Sequence, residues 1–276
     1  MDDDSDSCFL MDDYDHPQPG LIYSPTLVPG RGASLMDLDN QLLGCDCSGE
    51  EICLSATSCQ TAHVCQPNYT SDKKLVDEKW DSSGIVECNS QCHCSILHCS
   101  NRVVQFGPRK NLEIFECGPQ KGYGLKSQDF IPKGAFICEY AGEIIGLSEA
   151  KCRFKALYAE KKMNYIFVLR EVINFSESTS VIETVVDPSL IGNIGRYINH
   201  SCDPNSGIVP VRINSPVPRL GIFAKKNIVP GEEITYDYSG GSLVPQINEA
   251  NSYEKKACYC GANCCKGFLP FDLSLV

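Results

Sequence analysis

Eighteen cysteines in 276 residues constrain this chain more than any other feature, because half of them lie between Cys45 and Cys99. The nine are Cys45, Cys47, Cys53, Cys59, Cys65, Cys88, Cys92, Cys94 and Cys99. Cysteines as close as Cys45 and Cys47, or Cys92 and Cys94, cannot readily close a disulfide with each other, but they suit a shared metal. Zinc takes four thiolates in a tetrahedron at ~2.3 Å. Nine thiolates complete three such tetrahedra if six bind one ion each and three bridge two ions. The residues around them are too polar to form a core, so metal binding is expected to supply most of this lobe's folding free energy. Closed four-thiolate sites leave no open position for chemistry, and the expected role is structural.

A second group, Cys258, Cys260, Cys264 and Cys265, lies near the end of the chain. A disulfide framework would need an oxidising compartment. The sequence has no basic, apolar leader and no apolar run approaching the roughly 18–20 residues of a membrane span, so a soluble, intracellular protein is expected. Charge is unevenly placed. Ten units of the net −11 sit in residues 1–50, where eleven acids face Arg31 alone. Residues 1–44 therefore read as an acidic, disordered tail, and the remainder as a nearly neutral folded body.

Between the cysteine groups the pattern is mainly β with short helices. Alternation marks strands at Leu112–Phe115 and within Ala135–Tyr140 and Tyr165–Leu169. Glycine and proline punctuate at Lys121–Gly124, Pro132–Gly134, Asp187-Pro188 and Pro230-Gly231. One amphipathic helix is expected over Ser148–Lys162, with Ser148 as its N-cap and Ala150, Phe154, Leu157 and Tyr158 on one face.

Two short words give this pattern a family. Asn199-His200-Ser201-Cys202 is followed by Tyr236-Asp237-Tyr238, and the cysteine groups bracket both. Together they resemble the SET-domain protein lysine methyltransferases, over about Cys45 to Phe271. The nine-cysteine count matches the triangular three-zinc pre-SET cluster of the SUV39-like branch. The resemblance implies a pre-SET three-zinc domain at 45–107, a SET catalytic domain of small curved sheets with a pseudoknot at 108–240, and a post-SET zinc segment at 254–276. It also implies that Cys202, Cys258, Cys260 and Cys265 hold a fourth zinc. Cys264 and four others, Cys8, Cys117, Cys138 and Cys152, are left as free thiols.

In the family the cofactor is S-adenosylmethionine. The resemblance implies that Lys121, Gly122 and Tyr123, a match to a G-W-G word with tyrosine for tryptophan, contact it through the main chain. Asn164 and Tyr165 resemble the strand start that packs on it. Arg196, Tyr197, Asn199 and His200 complete its site. Tyr238 is implied as the catalytic tyrosine, Tyr140 as a wall of the lysine channel, and Tyr236 as the position that sets how many methyls are added. A hydroxyl at Tyr236 favours mono- and dimethylation.

The implied partner is a histone H3 tail or nucleosome in the nucleus, on chromosomes. Lysine 36 of H3 is favoured, with lysine 9, lysine 4 or a non-histone lysine as alternatives. Thirteen thiolates and four zinc ions would add five negative charges, which suits a basic peptide and argues against a direct DNA-binding domain. Two other classes compete: a zinc-organised chromatin-binding module without catalysis, and a disulfide-rich extracellular protein. Intact Asn199, His200 and Tyr238 speak against the first.

Overall fold

The computed structural model describes residues 14, 16–45, 53, 67–80, 84–174, 179–239 and 255–276. Their elements begin with β1 (Ile22–Tyr23), β2 (Val28–Pro29), α1 (Leu35–Asp39) and β3 (Ile85–Val86). Next come β4 (Leu112–Glu116), β5 (Tyr123–Ser127), β6 (Phe136–Glu139), β7 (Gly142–Ile144) and α2 (Leu147–Ala159). The rest are β8 (Phe167–Asn174), β9 (Thr179–Gly192), β10 (Asn199–His200), β11 (Ser206–Arg212), β12 (Arg219–Ala224) and β13 (Glu233–Tyr236). This is the mainly β architecture with short helices that the sequence leads one to expect.

The strands form three small sheets. One runs β1-β9-β7-β2 with β8 also paired to β9, the second β10-β13-β5-β4, and the third β3-β11-β12-β6. Leu125, Ile131, Ile137, Ile194, Ile198, Leu220, Ile222, Ile228 and Ile234 are fully buried in one cluster fed by these sheets. Each buried aliphatic side chain of this kind stabilises by about 1.5–3 kcal/mol. The short pair β10 and β13 lies at the edge of that cluster, in parallel register with Asn199 opposite Thr235 and His200 opposite Tyr236. A rigid core thus presents both sequence words side by side.

Three expectations need correction. The leader does not behave as a disordered tail from residue 16 to residue 44. β1 pairs in parallel with β9 and β2 with β7. The Tyr14 hydroxyl donates to the Arg109 carbonyl at 2.9 Å and accepts from the Leu112 amide at 3.0 Å. Averaged charge hid the reason, since residues 16–36 contain no acid at all.

The helix also starts earlier than expected. α2 is capped by the backbone of Gly146, with no side-chain cap, and Ser148 lies in its first turn. A Cβ on Gly146 would sit 2.9 Å from the Gly32 carbonyl oxygen, so the leader crossing the helix start dictates glycine there. Ala150 and Phe154 are buried, whereas Tyr158 is exposed. Finally, Asp187-Pro188 does not end a strand. It lies inside β9, opposite a register shift at Gly142 and Glu143. A bulge absorbs the proline that would otherwise interrupt the ladder.

Candidate active site and its zinc lobes

The cysteines form two separate sulfur nests. Six of the nine pre-SET cysteines are described, and they make two overlapping quartets: Cys45, Cys88, Cys92 and Cys94, and Cys53, Cys88, Cys94 and Cys99. Cys47, Cys59 and Cys65 lie outside the described residues. Cys202, Cys258, Cys260 and Cys265 form the third quartet. Within each quartet the sulfurs lie within 4.8 Å of one another, where a zinc tetrahedron needs roughly 3.8 Å between sulfurs. The donor set therefore fits zinc. Hydrogen bonds from Cys88 draw Cys92 and Cys99 down to about 5, while Cys88 itself is pushed far up. A bound cation would replace the thiol protons.

The tyrosines implied for the chemistry gather in one aromatic cluster. Tyr236 closes β13, and Tyr238 follows two residues later on the same side of the chain, with ring centroids 4.8 Å apart. Tyr140 and Phe167 bring their rings to 5.9 and 6.0 Å from Tyr236. The Tyr238 hydroxyl donates to the Ile198 carbonyl at 3.0 Å, and that of Tyr140 to the Tyr165 carbonyl at 2.6 Å. Burial, with neighbouring hydroxyls adding to it, pushes all three phenols above their ordinary range. They stay protonated at neutral pH and cannot act as bases.

Two further clusters hold the residues implied for the cofactor. Gly122 turns at φ +71° between β4 and β5, a left-handed conformation that favours glycine. From this turn Lys121 reaches both oxygens of Glu233, at 2.6 and 2.8 Å. The Asn199 amide donates to the same carboxylate at 2.9 Å and to the Tyr123 carbonyl at 3.0 Å. Cys117 lines this cluster too, its thiol pushed up to about 11 by burial and then by Glu233. In the second cluster the buried Arg196 guanidinium lies over Tyr165 at 4.5 Å and Tyr197 at 5.1 Å, and donates to the Pro188 carbonyl. Tyr197 meets Tyr123 edge-on at 6.3 Å, which joins the two clusters.

Two implied residues engage their side chains within the fold. The Asn164 side chain accepts from the amide of Ile166, next in line before β8. The His200 ring accepts from the Tyr238 amide at 3.2 Å through Nδ1 and sets Nε2 3.4 Å from Cys202 Sγ. Its imidazole thus ties the Tyr238 backbone to the Cys202 quartet, and burial lowers its pKa. Glu233 is the residue that reading words along the chain misses. His16, stacked on Tyr197 at 5.8 Å, is a second omission.

This geometry has known counterparts. A SET domain model matches residues 122–239, and a Pre-SET motif model matches residues 7–102, so the leader belongs to the second match. The histone-lysine N-methyltransferase SETMAR of Mus musculus is 43% identical over 271 residues, covering 94% of this chain and 83% of that protein. The crystal structure of the methyltransferase domain of human SETMAR superposes with a TM-score of 0.78 at 41% identity, covering 94% of this chain and 91% of that one. A structure of KRYPTONITE with mCHH DNA, an H3(1-15) peptide and SAH matches with a TM-score of 0.69 at 28% identity, over 92% of this chain and 48% of that one. The chain belongs to the SET-domain histone-lysine N-methyltransferases and is a protein lysine methyltransferase.

Proposed function

We propose that this chain methylates a lysine of the histone H3 tail, with lysine 36 favoured over lysines 9 and 4, and stops at mono- and dimethylation. It acts on nucleosomes in the nucleus, and the pre-SET lobe carries three zinc ions and the post-SET segment one. S-adenosylmethionine, when bound, supplies an electrophilic methyl group on a sulfonium. The KRYPTONITE structure, which holds SAH and an H3 peptide together, supports both the cofactor and the substrate class.

The observation that carries the mechanism is the direction of the tyrosine protons. Tyr238 and Tyr140 spend theirs on the Ile198 and Tyr165 carbonyls. Each hydroxyl keeps lone pairs free to accept N–H and polarised C–H groups but has no proton left to donate to an amine lone pair. A lysine amine, ordinarily protonated below pH ~10.4, gives its proton to solvent water as it enters the aromatic surroundings, which disfavour the ammonium. The hydroxyl lone pairs then hold its N–H bonds and leave the nitrogen lone pair aimed forward. Orientation of this kind contributes roughly 7–11 kcal/mol in well-aligned systems. The Lys121–Glu233 ion pair, with Asn199 on the same carboxylate, would hold the charged amino-acid end of a bound cofactor.

The test is methyl transfer from labelled S-adenosylmethionine to nucleosomes and H3 peptides, with mass spectrometry placing the mark. Tyr238→Phe should lower the rate by about 100-fold or more while cofactor affinity is kept, since a misplaced reacting group costs about that much. A mark on lysine 9 or 4 alone overturns the favoured target. Undiminished turnover in Tyr238→Phe overturns the role given to that hydroxyl.

A further inference from the structure

Nine thiolates holding three Zn²⁺ retain three negative charges, and the described part of the pre-SET nest is buried. Cys45, Cys53, Cys88 and Cys99 are at most 3% exposed, and Cys94 is 7% exposed. Charge held away from water is costly unless something of opposite sign compensates it. Several neutral donors contribute. The amides of Cys45 and Asn89 point at Cys92 Sγ from 3.3 and 3.1 Å, and the Asn101 side chain donates to Cys88 Sγ at 3.5 Å.

One donor is a cation. Arg102 is 2% exposed, and its Nη2 lies 3.6 Å from Cys94 Sγ while also donating to the Asn89 carbonyl at 2.8 Å. No carboxylate among the described residues pairs with it. The nearby buried acid, Glu87, is already saturated by the Tyr69 hydroxyl, the amides of Val103 and Val104, and Gln105 Nε2. Gln105 stands between the two charges, its Oε1 accepting from Arg102 Nη1 at 2.8 Å. The amide spacer keeps the guanidinium from being neutralised by Glu87 and leaves its charge directed at the sulfurs. Cys94 and Cys88 are the two cysteines common to both described quartets, the position where a sulfur shared between ions would sit.

We propose that Arg102 is the buried counter-ion of the pre-SET zinc cluster, holding the thiolate-rich metal form together through Cys94. This inference rests on the zinc reading above. Groups hydrogen-bonded to metal ligands typically change metal affinity by 10–100-fold when removed. A guanidinium also suits a buried, weakly hydrated cationic site better than an ammonium does.

The full chain, purified zinc-replete, would be compared with Arg102→Gln, Arg102→Met and Arg102→Lys. Zinc content is read by elemental analysis, and zinc loss to a chromogenic chelator is followed in time. The post-SET ion, remote in sequence from Arg102, serves as the internal control. The expected result is pre-SET release about 10–100-fold faster in the Gln and Met variants, with Lys intermediate and the post-SET phase unchanged. Release at the parent rate in Gln or Met overturns the proposal. So does equal acceleration in all three, which would mean that shape rather than charge matters. If the Met variant does not fold, the order of Gln against Lys decides alone. A parent chain with no pre-SET zinc sinks the metal reading and the counter-ion with it, whereas a zinc-loaded parent with unchanged variants sinks only the counter-ion.

Discussion

Tyr236 packs its ring 5.9 Å from that of Tyr140 and 4.8 Å from that of Tyr238, two neighbours whose hydroxyls are already committed to carbonyls. In the proposed reading, the Tyr236 hydroxyl crowds a bulkier methylated amine. Tyr236→Phe removes one hydroxyl from a buried site and opens space there without altering the core, because the ring stays. The expected outcome is a shift of product toward trimethyllysine, with a rate within about tenfold of the parent, read by mass spectrometry of the H3 peptide. An unchanged product distribution would remove Tyr236 from that role. The words around Asn199 and Tyr236 made most of this pocket legible, since β10 and β13 lie in direct register. Glu233 was not legible. As the second acid of Glu232-Glu233 after Pro230-Gly231 it reads as a solvated turn, and its partner Lys121 is 112 residues away. Only tertiary structure turns such a residue inward.

The leader shows the same limit for whole elements. β1 and β2 are two residues each, too short for periodicity to register, and they exist only because β9 and β7 offer them parallel edges. The longer strands, whose alternation spans several residues, were readable from sequence because their own side chains bury one face. Tyr14 measures what the leader contributes. Its hydroxyl satisfies one carbonyl and one amide at the start of β4, and no other described group bonds either of these atoms in its place. Tyr14→Phe leaves both backbone groups short of a partner inside a packed region. Such loss costs about 1–3 kcal/mol. The expected outcome is a lower urea midpoint in zinc-replete buffer with the slope unchanged. An unaltered midpoint would mean that the leader docks without stabilising the body.

At the scale of the molecule, the C-terminal segment is held in two independent ways. One is the quartet that joins Cys202, two residues beyond His200, to Cys258, Cys260 and Cys265. The other needs no metal. Arg170 on β8 grips Asp272 at 2.8 and 3.1 Å and Ser274 at 2.6 Å, and Leu275 is buried against the α2 cluster with Ala150 and Phe154. The two attachments predict different fates on chelation. Losing the zinc frees residues 255–265, where few apolar side chains are buried, and loosens the Cys202 and His200 end of the aromatic cluster. Residues 270–276 should stay docked, because an aliphatic anchor and a forked ion pair remain. Hydrogen exchange after mild chelation should therefore show lost protection at 255–265 and near Cys202, with retained protection at 270–276 and across β11 and β12. Methyl transfer should fall with the first change and return when zinc is restored. Uniform loss of protection through residue 276 would mean instead that the metal alone holds the whole segment, and that the Arg170 and Leu275 contacts follow from its docking rather than cause it.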